Sequence, residues 1–359
     1  MKSTKKPVTI KVVFVLLAFH FSLFTFHSVA QPQSQTNWQL ANQYYQQGDF
    51  EKALVYYEKN YDFDPFGTYD GYLKCLIALK DFSTAEKLIK KQMKKANGST
   101  SYLVDLGSLY EMQGEQQKAN EQYSKAIKNI KPDIQQYIML ANKFAEKGNY
   151  NSAIATYLEG RKALHGQYMF SFELAELYSQ NSDAPNMIKE YLDVLEYAPQ
   201  SMVNLQTILQ NKIAFDLKGT LSDMLRTELL RRIQREPNQT QYSELLYWLL
   251  LQEKDFDSAL IQARSLDKRM NENGSRLLNL GQMATGNQQY QTAEECFSII
   301  MEKGRTNPYY LTARISLINA RNQRITTQSN YTKDDLKKLD SDYTTALNEL
   351  GREIGRAHV

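Results

Sequence analysis

The sequence is short of most of the residues that chemistry needs. Of 359 residues, four are histidine and two are cysteine. His20 and His27 fall among the first thirty residues and His358 stands at the far end, which leaves His165 alone in the body of the chain. One histidine builds neither a His-paired metal site nor a proton relay. A Ser-His-Asp arrangement around His165 is formally open, but Leu164-His165-Gly166 reads as the loop after a helix, where a solvated histidine is the plainer account. No P-loop and no Gly-x-Gly-x-x-Gly pattern occurs to cradle a phosphate. Cys75 and Cys296, each inside a helical pattern and 221 residues apart, read as buried free thiols rather than a disulfide. The expectation is a protein without catalysis, cofactor or metal.

Glycine and proline are also scarce, at 16 and 8, which argues against low complexity and broad disorder. What is present is 42% apolar residue, enough for a sizeable core, with 24 tyrosines among abundant Ala, Leu, Glu, Lys and Gln. That mixture favours helices dotted with aromatics. At this length two or three ordinary domains are possible. The formal charge of +3 misleads, because residues 1–30 hold four lysines and no acid; the rest carries 39 basic against 40 acidic residues. A near-neutral chain lacks the basic footprint that binds phosphate backbones, so nucleic acid is not an expected partner.

Lys2, Lys5, Lys6 and Lys11 form a positive leader, and Val12 to Phe26 is apolar but for His20, Ser22 and Thr25. Ser28-Val29-Ala30 supplies small residues before Gln31-Pro32. These three parts make a secretory signal over residues 1–30, cleaved near Ala30-Gln31, and imply export to the periplasm or cell envelope. The alternative is an uncleaved anchor, for which the apolar run is short against the roughly 20 residues a span needs. No cysteine lies nearby to carry a lipid, and no later segment is apolar enough to span. At the other end, residues 353–359 (Glu-Ile-Gly-Arg-Ala-His-Val) can be encoded by the opening of a widely used sequencing adapter. We expect the native sequence to end near Arg352 here and to continue in the full-length protein.

Between these ends the chain repeats. Ala53, Ala85, Ala119 and Ala153 follow one another at 32, 34 and 34 residues; Ala259 lies 106 further on and Ala293 another 34. The wide gap divides as 34 to Met187 and 72 onward, room for one enlarged unit. Each small residue opens a second helix, and a first helix precedes it. The third unit reads Leu106-Gly107, Tyr110, Gly114, Ala119, Tyr123, Ala126; the fourth reads Leu140-Ala141, Phe144, Gly148, Ala153, Tyr157. Apolar residues at i, i+1 and i+4 make one stripe on the first helix, and those at i and i+4 a stripe on the second. A lone helical hairpin cannot bury both stripes, so such units stack.

This pattern resembles the tetratricopeptide repeat, a 34-residue helix–turn–helix unit. The resemblance runs from about Thr36 to Asn307, apart from 202–238, which looks helical but lacks the small-residue signature. The layout is also similar to exported repeat proteins of Bacteroidetes-type bacteria. It implies an all-α, right-handed superhelical solenoid over 31–307, about eight helical pairs, and then a further pair over 308–352 with an insert, Arg324 to Thr332, between its helices.

The resemblance also implies a binding face, because first helices line the concave groove in this family. The residue after the small Gly/Ala position is Asn42, Lys74, Ser108, Asn142, Glu176, Trp248 or Gln282 in successive units. Four residues earlier on the same helical face stand Trp38, Asp70, Val104, Ile138, Phe172, Glu244 and Leu278. All of these except Val104 and Leu278 are candidate groove residues. Amides, both charges and a few apolar anchors suit an extended or helical segment of another protein, with Trp38, Phe172 and Trp248 as anchors. Trp248 could equally pack between first helices, and Trp38 could cap an open end. The family's clamp for chaperone tails needs paired lysine and asparagine; here Asn42 is present but its lysine partner is replaced by Trp38, so that ligand is not expected. Two readings stand at this point: a protein-interaction scaffold, or the sensor part of a longer membrane signalling protein. The oligomeric state is open.

Overall fold

The computed structural model describes residues 33–327 and 331–357. Both the signal segment, 1–30, and His358 and Val359 of the suspected tail lie outside them. The described residues form eighteen α-helices and no strand, and the chain divides between Lys131 and Pro132 into two compact units.

The first unit holds three hairpins: α1 (Gln33–Gln46) with α2 (Phe50–Tyr61), α3 (Pro65–Ala78) with α4 (Phe82–Lys95), and α5 (Ser101–Met112) with α6 (Gln116–Lys128). The second holds five more. They are α7 (Ile134–Glu146) with α8 (Tyr150–Ala163), α9 (Ser171–Gln180) with α10 (Ala184–Tyr197), α11 (Met202–Ala214) with α12 (Thr220–Arg235), α13 (Thr240–Gln252) with α14 (Phe256–Met270), and α15 (Ser275–Gly286) with α16 (Tyr290–Glu302). A last pair, α17 (Tyr310–Thr327) and α18 (Lys333–Ala357), follows.

One three-residue turn recurs within the hairpins. Its middle residue is left-handed: Gly48, Lys80, Gly114, Gly148, Ser182, Lys254 and Gln288 all have φ between 58° and 78°. The next residue turns its N–H back onto a carbonyl five positions earlier, as Asp49 does to Tyr44 and Asp255 to Leu250, which closes the first helix. That same residue then caps the second helix. Asp49, Asp81, Asn149, Asp183 and Asp255 each accept the backbone N–H three positions on. Three residues therefore end one helix and start the next, which fixes the hairpin angle.

Packing follows from the small residues. Ala53, Ala85, Ala119, Ala153, Ala259 and Ala293 are wholly buried. On the first helix, Gly107 lies so close to Tyr123 that a Cβ would sit 2.3 Å from its ring, and Gly281 stands to Phe297 in the same way at 2.5 Å. Each unit has its own apolar core, around Tyr57, Tyr69 and Leu76 in the first and around Tyr191, Leu245 and Phe297 in the second. Cys75 and Cys296 are free and buried inside these cores.

Hairpin six is built differently. Its turn spans Phe215–Gly219, and α12, at 16 residues, is longer than any second helix before it. The small-residue slot holds leucine however it is counted: Leu221 lies 34 residues after Met187 and Leu225 lies 34 before Ala259. α11 and α12 do not approach each other closely, as the helices of every other hairpin do, the fifth included with Met187 in that slot. Charge takes over some of the stapling. Arg232 of α12, 1% exposed, donates to Asp193 of α10 at 2.5 Å and to the Tyr242 hydroxyl of α13 at 3.2 Å.

The final pair corrects one expectation. Arg324 to Thr327 are not part of an insert but the last turn of α17. Thr326 and Thr327 donate to the carbonyls of Asn322 and Gln323, Ile325 is buried, and Arg324 bridges Glu294 and Asp335 at 3.1 and 2.9 Å. Those bonds make helix the better use of a polar stretch.

Candidate functional site

The first-helix face falls into exposed, half-buried and structurally committed residues. In the first unit, Asp70 and Lys74 of α3 are exposed, and Trp38 of α1 is 45% exposed. Asn42 is committed at both ends of its amide. Its Nδ2 donates to the Trp38 carbonyl at 3.0 Å, and its Oδ1 accepts the Tyr57 hydroxyl at 2.7 Å. Ser108 is only 8% exposed, packed inside α5 beside buried Asp105 and Leu109, so it offers a partner almost nothing.

In the second unit, Asn142 and Gln282 are exposed, and Ile138, Glu244 and Trp248 are half-buried. Phe172 and Trp248 lean on the core of this unit, Phe172 with its ring edge-on to Tyr191 at 6.3 Å. Glu176 is exposed but tied, bonding Lys212 at 2.9 Å. Burial, with the Glu176 carboxylate beside it, pushes the Tyr191 phenol well above its ordinary range. Asn42 and Glu176 occupy the same repeat position, and each answers the tyrosine of its own second helix. That position thus has a packing duty that helical spacing alone does not reveal.

Spacing also left out the recess that the structure supplies. Between α9, α10, α11 and α12 lies a cleft of about 570 Å³. Met187, Ile208 and Leu221 form its apolar lining, and Asn211 and the Glu176–Lys212 pair its polar side. Lys212 also donates to Ser179 at 3.0 Å. Phe215, 84% exposed, stands at the mouth, with Leu217 fully exposed two residues on. The turn is rigid because Asp216 accepts the N–H groups of Leu221 at 2.6 Å and Lys218 at 3.1 Å. Those bonds, that from Leu221 first, hold the Asp216 carboxyl below its usual range. The signal that could have found this place was the break in the repeat at 202–238.

His165 lies exposed in the turn after α8, with φ of 50°. Burial raises both thiols, Cys75 to about 11 and Cys296 to about 12.

Neither a family model nor a curated protein matches the chain. Several solved repeat proteins are similar in fold. MamA shares 20% identity, with 47% of this chain and 93% of that one covered, at a TM-score of 0.27. The C-terminal part of a TPR repeat-containing protein from Cytophaga hutchinsonii shares 16%, covering 78% and 99%, at 0.27. A tetratricopeptide repeat protein from Parabacteroides merdae shares 17%, covering 69% and 95%, at 0.25. At such TM-scores these likenesses carry no argument about this chain. Its class rests on its own geometry: an all-α stack of capped helical hairpins in a 34-residue register.

Proposed function

We propose that the chain is a protein-interaction scaffold of the tetratricopeptide type, which holds segments of partner proteins on the first-helix faces of its units. One observation carries the reading. Two positions of the first-helix face, four residues apart, return to solvent in several hairpins, bearing Trp38 and Asp70 at one and Lys74, Asn142 and Gln282 at the other. A surface repeated in this way suits a polypeptide better than a small molecule, because a polypeptide also repeats along its length. The leader over residues 1–30 supports a site of action in the periplasm or cell envelope. The near-neutral balance beyond it favours protein over nucleic acid.

The test is a capture experiment from envelope extract, with residues 31–352 as bait. The control carries Trp38→Ala, Lys74→Ala, Asn142→Ala and Gln282→Ala, all at solvent-facing positions. A protein retained by the parent and lost by the variant, with helical circular dichroism unchanged, supports the scaffold. Equal retention would move the partner off the first-helix face, and no retention by either would sink the reading.

A further inference from the structure

The splayed sixth hairpin has no explanation in packing alone. Every other hairpin closes on itself, the fifth included with Met187 in the slot that alanine fills in the rest; here leucine stands in that slot, the helices stay apart, and an apolar cleft is open to solvent. A chain that merely lost its alanine would gain stability by closing the gap, since unfilled apolar surface costs roughly 25 cal/mol per Å². Instead, the turn that bounds the cleft is pinned by Asp216, and it holds Phe215 and Leu217 out in water.

The charged groups that line the cleft itself are already bonded, while Lys218 of the bounding turn is exposed to water. Lys212 is held by Glu176 and Ser179, and Asp216 by the turn's own N–H groups. The rest of α11, from Met202 to Ala214, carries no other charged residue. Its solvent side offers Val203, Thr207, Gln210 and Asn211, all uncharged; of these Asn211 lines the cleft and can hydrogen-bond a peptide. A ligand carboxylate here would have to compete with Glu176 for Lys212, and an ammonium would find no free acid.

We propose that this cleft takes one bulky apolar side chain from an uncharged segment of a partner protein, gripped between Met187, Ile208 and Leu221 under the Phe215 lip. The proposal rests on the scaffold reading and names the chemistry of the segment held at this hairpin. A partner with an acidic tail does not fit it.

The test uses the full chain labelled with ¹³C-methyl methionine. The Met187 methyl signal is identified by its loss in Met187→Leu. The probe is N-acetyl-L-phenylalanine amide, a neutral residue with capped ends. It should shift that signal saturably, with a Kd of roughly 1 mM for a ligand of its size. N-acetyl-glycine amide should leave the signal in place, and free N-acetyl-L-phenylalanine should bind about fivefold more weakly or worse. Phe215→Ser should weaken the amide several-fold without disturbing the fold, since that ring is already in water. An unmoved Met187 signal, equal response to glycine amide, or equal affinity for the free acid would overturn the proposal. So would a Met187 shift that depends on protein concentration alone, which would make a second copy the occupant. If the capture experiment distinguishes its variant while Met187 stays silent, the scaffold stands and only this cleft fails.

Discussion

Removing the guanidinium of Arg232 is the sharpest probe of how the chain stays folded where its repeat breaks down. Burial works against the charge of Arg232, yet bonds from Asp193 and Tyr242 outweigh it and hold the group charged beyond its ordinary range. The same side chain also reaches the Lys189 carbonyl at 3.1 Å and Glu228 at 3.1 Å. Arg232→Met keeps much of the volume but strands the Asp193 carboxylate near the core and leaves Glu228 to Arg231 alone. Taking one partner from a buried ion pair costs about 3–5 kcal/mol. Both acids keep about a fifth of their side-chain surface in water, so we expect the lower end, roughly 3 kcal/mol.

A single unfolding midpoint would blur this, because repeat arrays open locally. Amide hydrogen exchange resolves it. In α10, α12 and α13 exchange through local opening should speed up by about 100-fold, the equivalent of roughly 3 kcal/mol, while α1 to α6 keep their parent rates. The pH response has a definite sign. Bonds from Arg231 and Arg232 hold the Glu228 carboxyl below its ordinary value against the effect of burial. A depressed carboxylate contributes stability above its unfolded pKa and loses it as pH falls through the folded one. Arg231 remains in the variant, so parent and variant should both lose its share of this increment below about pH 4.5, and the gap between them should narrow on acidification by the Arg232 share alone. Exchange accelerated less than about threefold, or equally in both units, would refute the view that this arginine staples the splayed hairpin.

Two further expectations follow from burial. Gly107→Leu should destabilise the first unit by about 1–3 kcal/mol, because the new side chain must displace Tyr123; Gly286→Ala, with open space around it, should do no harm, and a melt that ranks the two the other way counts against the close-packing account. Cys75 and Cys296 should react with a thiol reagent at pH 8 at under about 1% of the rate of a free thiol until the chain unfolds, and prompt labelling of either would mean that its core opens readily.

The fold class could be read from the spacing of alanines and tyrosines, since each marks where two helices must touch. The enlarged interval before Ala259 also announced itself, but only as a missing signature. Its physical content, leucines at a crossing and a longer turn, became plain once α11 and α12 could be seen apart. The first-helix face was legible as a set of positions and less so as a set of free groups. Ser108 is lost to burial, and Asn42 and Glu176 serve tyrosine hydroxyls, because a helical wheel assigns direction without saying what waits there. Arg324 to Thr327, expected within an insert, belong instead to α17, because backbone-bonded threonines and an arginine bridge favour helix there.

The left-handed turn residues have a consequence for engineering. Gly48, Gly114 and Gly148 adopt that conformation at no steric cost, but Lys80, Ser182, Lys254 and Gln288 are held in it at φ near 60°. A side chain there is strained by about 1 kcal/mol. The fold thus carries four small, separate reserves of thermal tolerance that selection has left unused. Glycine at each, well removed from the first-helix faces, should raise the melting temperature in roughly additive steps and leave partner capture as it was.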